Sequence, residues 1–311
     1  MNRRIVLTGA FSYIGGAVAS RLLQEGYEVH TLTGRKKPLG AEAITTAPLR
    51  FDPEHLRNEL RGAEAFINTY WVRLPWGDQS FETAVENSKM LLRAAADAGV
   101  PRIVHVSVSN ASQGRNLGYY NGKAEVDEYL RGLGVSHGIV RPTLVVGESD
   151  VLTNNIAWFL RYFPLFALPR ASDCLLRPVT LQDTARIIVD QIGNAQNTDV
   201  DAAGPQVITF SEYIQWLARA CGVKRAMVNV PNGIALAALR VVGLFLRDVV
   251  LTREELLGLQ QELLNSDQEP LGHESVQDWL TANGNELGVR YVNDMRRHFG
   301  SDSHKAVTDG D

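Results

Sequence analysis

An α/β fold with a doubly wound parallel sheet is predicted for this chain by three features of its first half. Short apolar runs alternate with stretches of helical periodicity. The runs are nearly continuous in Val, Ile and Leu, as in strands covered on both faces. Glycines stand where left-handed C-caps would end the helices.

Taken in order, Arg4–Thr8 reads as a strand and 15–25 as a helix closed by Gly26; Glu28–Thr33 is the next strand. The segment 55–61 is helical and closed by Gly62, 65–70 is a strand, 80–98 a helix closed by Gly99, and 102–108 a strand. After Gly147 the alternation stops. Residues 151–168 are rich in aromatics and leucine, with Phe159, Tyr162, Phe163 and Phe166 expected in an apolar interior, and 169–177 reads as a loop. Residues 176–192, with Asp183 near a helix start, are expected to return to the sheet or its edge. A mostly helical region follows to about Phe299. Within it, 233–251 suits an amphipathic helix covering a core or a substrate pocket, a reading preferred to a membrane-surface role because only two arginines lie on it; Arg240, Arg247 and Asp248 interrupt it as a membrane span. The expected organisation is a Rossmann-type core over 1–147 and a smaller, mostly helical substrate region over 148–300, interleaved with the core at about 176–206. A disordered tail is expected over 301–311.

The composition is that of an ordinary globular protein: 311 residues, 45% hydrophobic and 21% charged. A net charge of -4, without a concentrated basic stretch, argues against nucleic acid as a partner. Cys174 and Cys221 are far apart in apolar surroundings and read as core thiols in a reducing cytoplasm. The first strand begins by Ile5, which leaves no room for a secretory leader. None of the 7 histidines has a metal-ligand spacing to another His, Cys or carboxylate, so no metal is expected. No G-x-S-x-G segment supports a hydrolase. A small-molecule substrate is the expected partner, and a homodimer stands as a candidate assembly.

The chemistry concentrates in the first half. Thr8-Gly9-Ala10-Phe11-Ser12-Tyr13-Ile14-Gly15-Gly16 follows the first strand. It predicts a tight turn into a helix whose N–H groups face a dinucleotide pyrophosphate, with serine at position 12 where glycine is commoner. About 20 residues further on, Gly34-Arg35-Lys36-Lys37 replaces the acid that would bind a ribose 2′-hydroxyl, which favours NADP over NAD, with Arg35 the first choice for the 2′-phosphate. Tyr119 and Lys123 are four apart at the start of a helical pattern, so an ammonium can sit near a phenol and lower its pKa. Ser107-Val108-Ser109, leaving the strand before it, offers a hydroxyl to polarise a carbonyl. Trp71, Arg73 and Trp76 could line a substrate pocket, although aromatics between sheet and helix commonly serve packing. His105 reads as a core or edge residue.

Together these segments resemble the short-chain dehydrogenase/reductase superfamily, in the extended or atypical branch that holds the NAD(P)-dependent epimerases and dehydratases. The resemblance covers most of the chain. Gly9-x-x-Ser12-x-x-Gly15 is similar to the cofactor loop, Asp52 to the acid near the adenine, and Asn87 to the fourth-helix asparagine. Ser107 to Ser109 resembles the strand-five serine cluster. Tyr119-x-x-x-Lys123 resembles the catalytic pair. Segments 140–147, with Pro142, and 179–185 resemble two further pieces of that branch.

The resemblance implies hydride transfer to or from a carbonyl or hydroxyl, with Tyr119 as acid/base, Lys123 on the ribose and Ser109 orienting the substrate oxygen. It implies cofactor contacts from the loop (Gly9, Phe11, Ser12, Tyr13, Ile14, Gly15) and from Arg35, Asp52, Asn87, Ser107, Lys123 and Pro142. Trp71, Arg73 and Phe159 are the candidate lining for a small, fairly apolar substrate. The chain departs from the branch in Ser12, in a short interval from Ser109 to Tyr119, and in bulky Tyr70-Trp71 near the expected nicotinamide end. The alternative is a non-catalytic NAD(P)-binding protein, such as a redox sensor or an accessory subunit of respiratory complex I.

Overall fold

The computed structural model describes residues 3–295. In chain order the first elements are β1 (Arg4–Thr8), α1 (Tyr13–Gln24), β2 (Glu28–Thr33), β3 (Ile44–Pro48), α2 (Pro53–Leu60), β4 (Ala65–Asn68), α3 (Phe81–Asp97), β5 (Arg102–Val106), α4 (Gly118–Gly132) and β6 (His137–Pro142). Then come β7 (Val145–Val146), α5 (Val151–Tyr162), β8 (Leu165–Pro169), β9 (Leu175–Leu176), β10 (Val179–Thr180), α6 (Leu181–Asp190) and β11 (Thr198–Ala202). The chain continues through β12 (Ile208–Thr209), α7 (Phe210–Ala220), β13 (Ala226–Val230), α8 (Asn232–Leu246), α9 (Arg253–Gln260) and α10 (Val276–Asn283).

Seven strands form one parallel sheet in the order β11-β6-β5-β4-β1-β2-β3. The chain runs outward from β1 to β3 and then returns to lay β4 against the other side of β1. The loops leaving β1 and β4 therefore diverge at a topological switch point, where ligands bind in open α/β sheets. The apolar strand residues Ile5, Leu7, Phe66, Ile67 and Ile103 have no exposure. Each such side chain contributes roughly 1.5–3 kcal/mol relative to an exposed one. The predicted helix stops hold: Gly26, Gly62 and Gly99 have φ of 77°, 74° and 72°.

Contacts divide the chain into two compact units, the first comprising residues up to Pro142 with Thr184–Ala202, the second Thr143–Asp183 with the described residues from Ala203 onward. The first holds the large sheet. The second is built around Tyr213, Leu217, Leu160 and Leu280. In it Arg177 is buried and staples three segments, donating to the carbonyls of Gly204, Ser266 and Gln268. Asp183 accepts from the amides of His273 and Glu274 at 2.6 and 2.8 Å.

Several expectations need correction. The edge strand β3 is missing from the sequence reading; its ITTAP segment is mostly exposed and so lacks a long apolar run. The region expected to be mostly helical also contains a strand the sequence reading did not place, β13, paired in parallel with β8. The expected loop at 169–177 contains a 3₁₀ turn at Arg170–Asp173 and β9. Tyr162 and Phe163 are not interior: they are 57% and 37% exposed. Cys174 is only partly buried, whereas Cys221 is buried, and both are free thiols. Helix α8 ends earlier than expected, at Arg247 in the left-handed region. It does not simply cover a core, since it leaves Leu244 and Phe245 exposed. The expected tail over 301–311 lies outside the described residues.

Candidate functional site

The glycine loop is fixed by steric demand. Gly9 has φ +70°, a left-handed backbone that favours glycine, and its amide donates to the Leu32 carbonyl at 3.0 Å. A Cβ on Gly15 would lie 2.1 Å from the Gly9 carbonyl oxygen, so only glycine lets strand and helix come this close. Ser12 is the N-cap of α1, yet its side chain makes no capping hydrogen bond. The first-turn amides thus lack the side-chain acceptor that usually serves them, as a helix start offered to an anion requires. Arg35 folds back over this loop, its guanidinium donating to the Phe11 carbonyl at 2.9 Å.

The structure brings a buried polar chain together beneath the switch point. Thr8 donates its hydroxyl to Asn68 Oδ1 at 3.1 Å, and Asn68 Nδ2 donates to His105 Nδ1 at 3.2 Å. That assigns the imidazole proton to Nε2, which faces Asp127 Oδ1 at 3.6 Å, just beyond hydrogen-bond range. His105 is held well below the usual histidine range, by burial first and by the Lys123 charge second. The imidazole is therefore neutral, and its contact with Asp127 is not an ion pair. Asp127 Oδ2 accepts from the Ser107 hydroxyl at 2.9 Å.

Lys123 sits one turn before Asp127 on α4 and is buried at 3% exposure. Its ammonium donates to the Val106 carbonyl at 2.8 Å and lies 4.4 Å from the centroid of the Trp71 ring, a cation–π contact. Tyr119 meets the same indole edge-on at 5.9 Å, and packs edge-on to Phe81 and Tyr120. The predicted Tyr119–Lys123 pair therefore shares a helix face, with Trp71 against both. A Cβ on Gly122 would come within 3.0 Å of the Trp71 ring, so this glycine makes the room that the indole fills.

The other predicted residues fall into separate roles. Asp52 is the N-cap of α2, accepting the His55 amide at 2.7 Å. Asn87 donates to the Tyr70 hydroxyl at 3.1 Å. Ser109 has no exposure, and its amide donates to the Pro142 carbonyl at 3.0 Å. Arg73 is partly buried in the loop after β4, whereas Trp76 is 56% exposed. Phe159 belongs to the second unit, edge-on to Trp158 at 5.2 Å. Sequence reasoning missed Asp127 and the Thr8–Asn68–His105 chain. The available signal was Lys123-Ala-Glu-Val-Asp127, a second four-residue step along the Tyr119 face.

Burial lowers Lys123 to about 7 and raises Asp127 to about 6, opposed in each case by the attraction between the two. The stability sign follows. Asp127 holds a proton in the fold that the unfolded chain loses, so its contribution falls as pH rises to about 6. Lys123 releases a proton in the fold that the unfolded chain keeps, so its contribution rises above about 7. Relative to a Lys123→Met/Asp127→Asn variant, wild-type stability is expected to be lowest between these values and to increase on both sides. Urea midpoints measured across that range check this; a flat difference would contradict it.

The NmrA-like family model matches residues 1–149. An uncharacterized protein of Mycobacterium tuberculosis is 26% identical over 222 residues, 70% of this chain and 23% of that protein. This chain thus spans less than a quarter of that relative's length. Subunit 9 of the NADH dehydrogenase 1 alpha subcomplex from Arabidopsis thaliana mitochondria is 23% identical over 66% of this chain and 54% of its own. Among solved structures, triphenylmethane reductase of Citrobacter sp. superposes with a TM-score of 0.76 at 16% identity, covering 91% of this chain and 100% of that one. The NADPH-dependent quinone oxidoreductase QOR2 of Escherichia coli, complexed with NADPH, gives 0.72 at 20% identity over 89% and 99%. The fold and these matches define a Rossmann-like α/β protein. Over its first half the chain is similar to the NmrA-like family, and it shares its fold with solved NAD(P)-dependent oxidoreductases and epimerases.

Proposed function

We propose that the first unit binds a nicotinamide dinucleotide, NADP in preference to NAD, and acts as an oxidoreductase on a carbonyl or hydroxyl of a small, fairly apolar substrate. The observation that carries this reading is the Tyr119–Lys123 pair on one face of α4, in the unit whose glycine loop only a backbone approach explains. The residues fit the cofactor. Gly9 to Gly15 would cradle its pyrophosphate, and Arg35, already lying over the loop, would meet a 2′-phosphate. When bound, the nicotinamide supplies hydride-transfer chemistry.

The chain's own groups supply the rest. Tyr119 moves the proton at the substrate oxygen. Lys123, while protonated, favours the phenolate, and its lowered pKa restricts that help to pH values up to about 7. Ser109 is fully buried, so the hydroxyl expected to orient the substrate oxygen is given no substrate contact, and the chemistry rests on Tyr119 and Lys123. The quinone oxidoreductase likeness supports this reading.

A second reading, dinucleotide binding without turnover, is favoured by one observation: the Trp71 indole lies on the Lys123 ammonium. The likeness to a respiratory complex subunit supports it. A panel of quinones, aldehydes and ketones incubated with NADPH and the full chain separates the two. Nicotinamide oxidation with any acceptor supports the enzyme, and saturable binding with no oxidation across the panel selects the second reading. For cofactor choice, Arg35→Ala is expected to weaken NADPH at least about tenfold, since it removes a charge-assisted phosphate contact, and to leave NADH nearly unchanged. Equal losses in fluorescence titrations would remove the basis for the NADP preference.

A further inference from the structure

Helix α8 carries an apolar face that nothing in its own unit covers. On its inner side Ala235 is buried and Leu236 packs against the second unit's core. On its outer side Ile234, Val241, Leu244 and Phe245 are 60%, 54%, 79% and 86% exposed. At 100° per residue these four fall on one stripe. Past the helix end the chain is tied to 291–293. Asn293 donates to the Leu246 carbonyl at 2.8 Å, and the Tyr291 ring packs edge-on to Trp158 at 5.3 Å. Trp158 in turn contacts the exposed Tyr162 and Phe163.

The charges on α8 and at its C-cap, Arg240 and Arg247, are basic; Arg253 follows at the start of α9, beside Glu254 and Glu255. Arg240, Arg247 and Arg253 are exposed, and none forms an ion pair with a described carboxylate. The only acid from Asn232 to Thr252 is Asp248. Its carboxylate is consumed internally, accepting from the Tyr291 hydroxyl and from the amides of Asp294 and Met295.

We propose that the outer face of α8 docks on an anionic lipid surface. The helix has 15 residues, about 22 Å, and no helix among the described residues is long and apolar enough to cross a membrane. It would lie in the plane of the interface, with Leu244 and Phe245 below the headgroups and the arginines among them. Tyr291, bonded to Asp248 just past the helix end, is of the type that favours that boundary. A second copy of the chain is a poorer occupant, because a two-fold contact would set Arg240 and Arg247 against their own copies, and the one acid between Asn232 and Thr252, Asp248, is already engaged within the chain.

The test is co-sedimentation of the full chain with vesicles of phosphatidylcholine alone or mixed with phosphatidylglycerol. Binding to the mixed vesicles, weakened by salt, is the expected result. Leu244→Gln/Phe245→Gln should lower the partition coefficient at least roughly tenfold, and Arg240→Gln/Arg253→Gln should lower it about fivefold per charge on mixed vesicles only. Because the Leu244 and Phe245 side chains are largely exposed, their replacement leaves the core untouched. In parallel, Phe245→Trp should be quenched by brominated lipid. Failure of the unsubstituted chain to sediment with either vesicle would overturn the proposal. So would binding indifferent to Leu244→Gln/Phe245→Gln, or a dimer in light scattering that this double substitution dissociates without any lipid binding.

Discussion

Gly15→Ala is expected to abolish dinucleotide binding and to destabilise the first unit by at least about 1–3 kcal/mol, the usual cost of overpacking. The added Cβ would lie 2.1 Å from the Gly9 carbonyl oxygen and 2.8 Å from the Ser12 hydroxyl. The hydroxyl can rotate away. The carbonyl cannot, because Gly9 is tied to Leu32 through its amide and its own oxygen accepts from the Ser12 amide at 2.8 Å. Relief must come from moving α1 off β1, which displaces the helix start that faces the phosphates. Urea unfolding combined with a nucleotide titration checks both parts. A variant with wild-type stability and affinity would show that the loop is looser than its geometry implies.

Tyr119→Phe is expected to reduce turnover by about 10²–10⁴, the range for removing a general acid/base, with dinucleotide affinity nearly unchanged. The ring is held by Trp71, Phe81 and Tyr120 through edge contacts that phenylalanine keeps. Only the proton-carrying oxygen is lost. Steady-state rates set beside a binding titration decide the case: loss of affinity and turnover together would make Tyr119 structural, and unchanged turnover would remove it from the chemistry.

The sheet was legible because its strands are short and apolar, and glycines mark the ends of its helices. Arg4–Thr8 and Glu28–Thr33 are found with the boundaries their residues predict. Strand β3 was not legible, since a two-sided polar edge strand has little pattern to show. The same limit hid β13, whose partner β8 is far along the chain.

In the candidate site, the Tyr119–Lys123 pair was readable as helix spacing, but the place of its charge was not. That Lys123 turns to the Val106 carbonyl and underlies Trp71 depends on Gly122 leaving space for an indole from a distant loop. Asp127 and His105 escaped for a related reason. Each is an ordinary residue on its own element, and only the packing of α4 on the sheet makes them neighbours. The exposed face of α8 was hidden in the opposite way: its sequence reads as a covering helix, and only the three-dimensional surroundings reveal that half of it covers nothing.

The central claim is that the loop from Gly9 to Gly15 holds a nicotinamide dinucleotide. Titration of NADPH into the full chain, followed by nicotinamide fluorescence, tests it most directly. Saturable enhancement, equal in wild type and Tyr119→Phe and absent in Gly15→Ala, is the predicted result. No saturable change in the wild type, or an equal change in Gly15→Ala, would contradict it.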